Sequence, residues 1–141
     1  MRNVFVDTNV LIDLLGDRVP FSKSAIELFD LAERKKVRLY TSSHSYATTH
    51  YVLRKEMGEQ QLRDLLYLTM DYIDLIAIDT SIIKESVLSN HEDFEDAIQI
   101  FAAKSVAAMD IMVTRDKDLE NFKDAGIRIL PTEEAIQCLF E

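Results

Sequence analysis

Short apolar runs alternate with longer amphipathic stretches along this chain, and nothing between them has the chemistry of a tight hairpin. Asn3 to Val6, Val37 to Tyr40, Leu75 to Ile78, Ile111 to Thr114 and Ile127 to Leu130 read as strands, with no Asn-Gly pair to turn one directly onto the next. Strands that cannot turn straight back must be joined by crossovers, so they pair in parallel through helices. The expected architecture is a three-layer α/β/α sandwich on a mainly parallel sheet of about five strands.

The intervening stretches carry helix signals. Asp7-Thr8-Asn9 stands between the first strand and the apolar run Val10 to Leu15, supplying capping residues at a strand-to-helix turn. After the break at Gly16 to Pro20, Ser22 or Ser24 opens an amphipathic helix. Ser24 and Glu27 have capping-box spacing, and Arg34 to Lys36 form a basic end that suits the helix dipole. His44 to Met57 and Glu59 to Tyr72, separated by Gly58, read as a helical hairpin over about 43–72, inserted beside the sheet within one domain spanning 1–141. Thr80 or Ser81 caps a short helix to Leu88. Asp93 to Ala108 is apolar on most of its circumference and so largely buried. Gly126 turns the chain into the fifth strand, and Pro131-Thr132-Glu133-Glu134 starts the last helix.

Composition narrows the function. With 141 residues, 48% apolar and 29% charged, and only three Gly and two Pro, the chain suits one ordinary soluble domain. Asp7 stops the first apolar run, so no leader is expected, and no run approaches the ~18 residues that span a bilayer. The expected location is the cytoplasm, with no membrane partner. The single Cys138 has no zinc-finger partner and reads as a small buried hydrophobe; His44 and His50 fall on different helix faces, and His91 stands alone. A zinc hydrolase is not indicated. The net charge of −9 counts against phosphate binding by a basic surface. It is compatible with a carboxylate site whose charge bound cations cancel locally.

In open parallel sheets, functional groups collect beyond the carboxyl ends of strands at a topological switch point. Asp7 directly follows the first strand, and Asp116 lies two residues beyond the fourth. Asp93 and Asp96, three apart, share a face near the start of the buried helix. Taken singly, Asp7 reads equally well as a cap, Asp96 as a dipole partner and Asp116 as a turn residue. Three acids at one sheet edge are harder to explain by capping. Converging carboxylates repel one another in a partly desolvated cleft. Mg²⁺ or Mn²⁺, which prefer oxygen ligands, relieve that repulsion and suit phosphodiester hydrolysis.

The motifs that carry these residues resemble a known family. Phe5-Val6-Asp7-Thr8-Asn9-Val10-Leu11-Ile12-Asp13 is similar to the opening motif of PIN-domain nucleases. Asp93-Phe94-Glu95-Asp96-Ala97-Ile98-Gln99 resembles the start of their central acidic helix, and Val113-Thr114-Arg115-Asp116 their late Thr-Arg-Asp signature. The three occur in order through nearly the whole chain. The resemblance implies a metal-dependent ribonuclease, often the toxin of a VapBC-type toxin–antitoxin pair. It implies Asp7, Asp96 and Asp116 as catalytic metal ligands, with Asn9 and Thr114 orienting carboxylates or water. It also implies a homodimer and an antitoxin partner. Ile26, Leu31, Leu62, Leu65 and Leu66 offer apolar helix faces for packing, within the core by default.

One position departs from the pattern. The family carries a glutamate on the helix after the second strand; here that position is Thr48, and no acid occurs from Val37 to Lys55. Thr48 can hydrogen-bond a metal-bound water but supplies no charge. Asp93, one turn from Asp96, is the expected assisting ligand, with Asp118 and His44 as further candidates. Arg115 and Lys117 are candidates for phosphate contact, and equally read as solvated turn charges. A haloacid-dehalogenase phosphatase would need an Asp where Asn9 stands. A receiver domain would fit Asp79 as phospho-acceptor but lacks a well-placed lysine. The serious alternative is a degenerate PIN scaffold that binds RNA or a partner protein without cutting.

Overall fold

A computed structural model describes residues 1–120 and 126–140. Five strands form one all-parallel sheet: β1 (Arg2–Val6), β2 (Val37–Ser42), β3 (Ile73–Ile76), β4 (Ile111–Val113) and β5 (Arg128–Leu130), in the spatial order β3-β2-β1-β4-β5. The helices are α1 (Thr8–Leu15), α2 (Ser22–Glu33), α3 (Ser43–Leu53), α4 (Glu59–Thr69), α5 (Thr80–Leu88), α6 (Phe94–Lys104), α7 (Lys117–Glu120) and α8 (Thr132–Phe140).

The period-two alternation of strand side chains divides the core into two layers. Val4, Val6, Val37, Leu39, Ile73, Ile111 and Val113 face one way, onto α1, α2 and α8 through Val10, Leu11, Ala25, Leu28 and Ala135. Phe5 and Met112 face the other way, onto α5 and α6 through Ile82, Ile98, Ile100 and Ala102. The α/β/α sandwich is therefore present as expected from the strand pattern.

Several element boundaries differ from the sequence reading. The third strand runs from Ile73 to Ile76, two residues earlier than Leu75 to Ile78. Its register pairs Ser42 with Ile76, and Ser42 is where β2 ends and α3 begins. Ala77 and Ile78 therefore have no strand to pair with, and the Ile78 amide donates to Ser43 Oγ instead (3.1 Å). Asp79, rather than Thr80 or Ser81, caps α5 by accepting from the Ile82 amide at 3.0 Å. The Ser24–Glu27 capping box does not form, because α2 starts at Ser22 and leaves Ser24 in its first turn, donating to the Phe21 carbonyl. Helix α6 stops at Lys104, short of Ala108, with the Ser105 amide closing the last turn.

Leu31 and Leu62 are buried and Leu66 packs against the core, whereas Ile26 is exposed. Among the described residues no helix is long and apolar enough to cross a membrane.

The connectivity sets the position of any site. Leaving β1, the chain builds β2 and β3 on one side, then returns through α5 and α6 to lay β4 on the other side of β1. The reversal leaves a crevice beyond the carboxyl ends of β1 and β4.

Candidate active site

Asp7 is the first residue past β1, and its amide extends the sheet ladder to the Val113 carbonyl (2.9 Å). That places it beside Thr114, the first residue past β4. Only 6% of Asp7 is exposed, and its carboxylate is held from several sides. Oδ1 accepts from the Thr8 amide (2.8 Å) and Gln99 Nε2 (3.0 Å); Oδ2 accepts from Thr114 Oγ1 (2.8 Å) and, at the 3.5 Å limit, from Asn9 Nδ2. Asp7 thus caps α1 while presenting a fixed carboxylate to the crevice. Burial pushes its pKa above the ordinary carboxylate range; the Gln99, Thr114 and Thr8 hydrogen bonds oppose that rise, and the nearby Asp116 charge adds to it.

Thr114 and Asn9 tie the two strand ends together. Thr114 Oγ1 accepts from Asn9 Nδ2 (3.1 Å) and from the Asp116 amide (3.0 Å), while Asn9 Oδ1 accepts from the Arg115 amide (3.2 Å). The turn carrying Asp116 is thereby referenced directly to Asp7. Asp116 in turn accepts from the Asp118 amide (2.9 Å), closing its own turn.

Asp96 comes from the first turn of α6. Its carboxyl is pushed up to about 7, mainly by desolvation, then by the charges of Asp116, Asp93 and Asp7 and by a hydrogen bond with Asp116. A cleft of about 220 Å³ is lined by Asp7, Asn9, Thr48, Asp96, Asp116 and Gln99, with His44 and Glu95 on its wall. Three aspartates from separate parts of the chain therefore meet at the crevice.

The remaining candidates divide between this cleft and its surroundings. Asp93 caps α6 by accepting from the Asp96 amide (3.1 Å), and it lines a neighbouring cleft together with Asp118 and His91. Its carboxylate is used on the helix end, and it shares that neighbouring cleft with Asp96 while standing outside the one that holds Asp7 and Asp116. Thr48 lies 3.4 Å from His44 Nε2 and brings no charge to the wall. Arg115 faces away: its guanidinium makes two hydrogen bonds to Asp13 (2.6 and 2.8 Å) and covers the Phe21 ring at 3.9 Å. Asp13 is 1% exposed, so Arg115 serves as its counter-ion. Lys117 and Arg115 line a separate depression with Phe21 and Thr132.

Two participants escaped the sequence reading. Gln99, 3% exposed, contacts Asp7, Ser42, Ser45 and Thr8. Its signal is a lone amide three residues after Asp96, on the same face of an otherwise apolar helix. Asp13 has a similar signature, an acid within the apolar run Val10 to Leu15.

A sheet reversal furnished with aspartates from two strand ends and a buried helix defines a class of carboxylate-site α/β proteins. The chain belongs to the PIN-domain family, whose model matches residues 3–118. It is 27% identical over 138 residues to Ribonuclease VapC1 of Aquifex aeolicus, covering 94% of this chain and 92% of that protein. Its fold is similar to that of VapC20 from Mycobacterium tuberculosis, a Sarcin-Ricin loop cleaving toxin, with a TM-score of 0.68 and 16% identity over 89% of this chain and 98% of the other. It is also similar to a chain in a toxin-antitoxin complex from Klebsiella pneumoniae, with a TM-score of 0.64 and 23% identity over 88% and 94%.

Proposed function

We propose that this protein is a metal-dependent endoribonuclease that hydrolyses RNA phosphodiester bonds and serves as the toxin of a toxin–antitoxin pair in the cytoplasm. One observation carries the reading: Asp7, Asp96 and Asp116 line a single cleft at the sheet reversal, where burial first and the neighbouring aspartate charges second raise the Asp96 pKa. Family membership and the near full-length match to a ribonuclease support it.

The donor set fits a hard divalent cation. All three groups are carboxylates in a partly desolvated cleft, and the charges of Asp116, Asp93 and Asp7 add to the burial that raises the Asp96 pKa. Among the described residues, no three acids are already drawn together as a cage. Asp7, Asp96 and Asp116 would hold Mg²⁺ or Mn²⁺, with Asp93 adding field. When bound, such an ion supplies charge neutralisation at the phosphate and lowers the pKa of water. The protein's own part is orientation. Thr114 and Asn9 lock the Asp7 and Asp116 ends to each other, and Thr48 offers a hydroxyl at the cleft wall. The partners that follow are RNA, an antitoxin protein and a second copy of the chain, all within one PIN-like domain.

The missing acid at Thr48 favours a second reading, a PIN scaffold that binds RNA or protein without cleavage. A Mn²⁺-dependent cleavage assay on an RNA substrate separates the two. Asp7→Asn and Asp96→Asn should abolish cleavage while retaining the fold, and should relieve growth arrest caused by expressing the parent. Equal cleavage by parent and Asp7→Asn removes the proposed site; absence of Mn²⁺ binding and of cleavage in the parent selects the scaffold.

A further inference from the structure

We infer that Gln99 is a positioning residue for Asp7, held in place by a closed hydrogen-bond ring with Ser42 and Ser45. The inference rests on the ribonuclease reading above and extends it to residues outside the acidic set.

The directions of the bonds follow from the donors available. Gln99 Oε1 lies 2.5 Å from Ser42 Oγ and only accepts, so the Ser42 hydroxyl proton is committed to it. Ser42 Oγ then receives from Ser45, through its amide (3.1 Å) and its hydroxyl (3.1 Å). With the Ser45 proton used, Ser45 Oγ accepts from Gln99 Nε2 (2.8 Å) and from Thr8 Oγ1 (3.0 Å). The circuit closes: Gln99 to Ser45, Ser45 to Ser42, Ser42 back to Gln99. One amide hydrogen remains, and the nearer acceptor for it is Asp7 Oδ1 at 3.0 Å, against 3.3 Å to Thr8 Oγ1.

Reversing the amide would set its oxygen against the Asp7 carboxylate, two acceptors face to face. The serine hydroxyls can turn to follow either orientation, so the Asp7 carboxylate is what sets the direction of the ring. Ser42 and Ser45 are fully buried and Gln99 is 3% exposed, so water cannot substitute for a lost partner. The ring joins the end of β2, the first turn of α3 and the middle of α6 to the residue after β1. With Thr114 holding Oδ2 and Gln99 holding Oδ1, rotation of the Asp7 carboxylate is blocked from both edges. This is the arrangement by which outer groups orient a metal-binding carboxylate. It places neutral hydrogen-bonding groups, rather than a charge, on the α3 side of the cleft.

The test is a Mn²⁺ titration of the purified full chain, read by calorimetry and by the spin resonance of free Mn²⁺, for the parent, Gln99→Leu, Ser45→Ala and the double variant. Ser45→Ala leaves the Ser42 cap of α3 in place and keeps the proposal testable should Gln99→Leu unfold. Circular dichroism checks folding. The dissociation constant should rise about 10- to 100-fold in Gln99→Leu. It should rise in Ser45→Ala as well, and the double variant should bind no more weakly than Gln99→Leu, because Ser45 acts through Gln99. Cleavage should recover at saturating Mn²⁺. A folded Gln99→Leu or Ser45→Ala protein with parental Mn²⁺ affinity, or strictly additive losses, overturns the inference and leaves the ribonuclease reading standing. A parent that binds no Mn²⁺ brings down both.

Discussion

Replacing Arg115 with methionine removes the counter-ion of a carboxylate that water cannot reach. The Asp13 side chain is 2% exposed and the Arg115 side chain 34% exposed, with paired contacts of 2.6 and 2.8 Å. Breaking one half of a buried pair costs about 3–5 kcal/mol, and the partial exposure of Arg115 points to the lower end, about 3 kcal/mol. Loss of the Phe21 contact adds about 0.5–1 kcal/mol. For a chain of this size that corresponds to a Tm lower by roughly 10 °C. The reverse substitution, Asp13→Leu, should cost less, because the freed guanidinium is already partly in water and can hydrate. Arg115→Met combined with Asp13→Leu should therefore recover most of the single-variant loss, giving a coupling of about 2 kcal/mol. Urea unfolding of the four proteins at neutral pH, followed by circular dichroism, measures the cycle. If Arg115→Met unfolds within about 0.5 kcal/mol of the parent, the ordinary scatter of surface substitutions, yet binds RNA more weakly, Arg115 is not the counter-ion of Asp13. Arg115 would then belong with phosphate contacts.

Further outcomes follow from the site and the core. Asp96 has its folded pKa raised from 3.8 to about 7, so the stability tied to its protonated form is complete below about pH 4 and is lost as pH rises through about 7. In chelator-treated protein Tm should fall between about pH 4 and 7 and level off above, and Asp96→Asn should flatten that slope; an unchanged slope would exclude Asp96 as its source. Thr48→Glu adds a further carboxylate to the cleft wall, so it should lower metal-free Tm and strengthen Mn²⁺ binding, both read by thermal melts with and without Mn²⁺. Gly16→Ala would place a Cβ 2.9 Å from Leu53 Cδ2 and 2.9 Å from the Ile12 carbonyl. Overpacking of this kind costs about 1–3 kcal/mol, measurable as a lowered urea midpoint, and a neutral result would show that α1 and α3 can separate there.

The parallel sheet was legible because each strand is a short apolar run, and the absence of hairpin turns leaves few ways to connect them. The exact edges were less so. Leu75 to Ile78 is more apolar than Ile73 to Ile76, but strand limits depend on where the neighbour ends, and Ser42 ends β2. The acidic residues were visible for a similar reason: an Asp just past a strand, or at the start of a buried helix, has a position implied by the local pattern. Asp93 shows the limit of such reasoning. Spacing places it on the face of Asp96, whereas only the folded chain shows its carboxylate turned to the helix end. Gln99 and Ser45 are separated by 54 positions, and Arg115 and Asp13 by 102, so neither partnership has a local signature. From sequence Arg115 reads equally as a phosphate contact or a solvated turn charge, because the acid it pairs with lies 102 positions away.

The order in which the sheet is laid down has a consequence for synthesis. Asp7 is translated 107 positions before Thr114, its partner at the end of the neighbouring strand β4. Domains gain their long-range pairings only when both partners are available. A nascent chain thus holds Asp7 without its Thr114 partner while the intervening strands and helices are made. The cleft cannot assemble until β4 and the turn carrying Asp116 have been made.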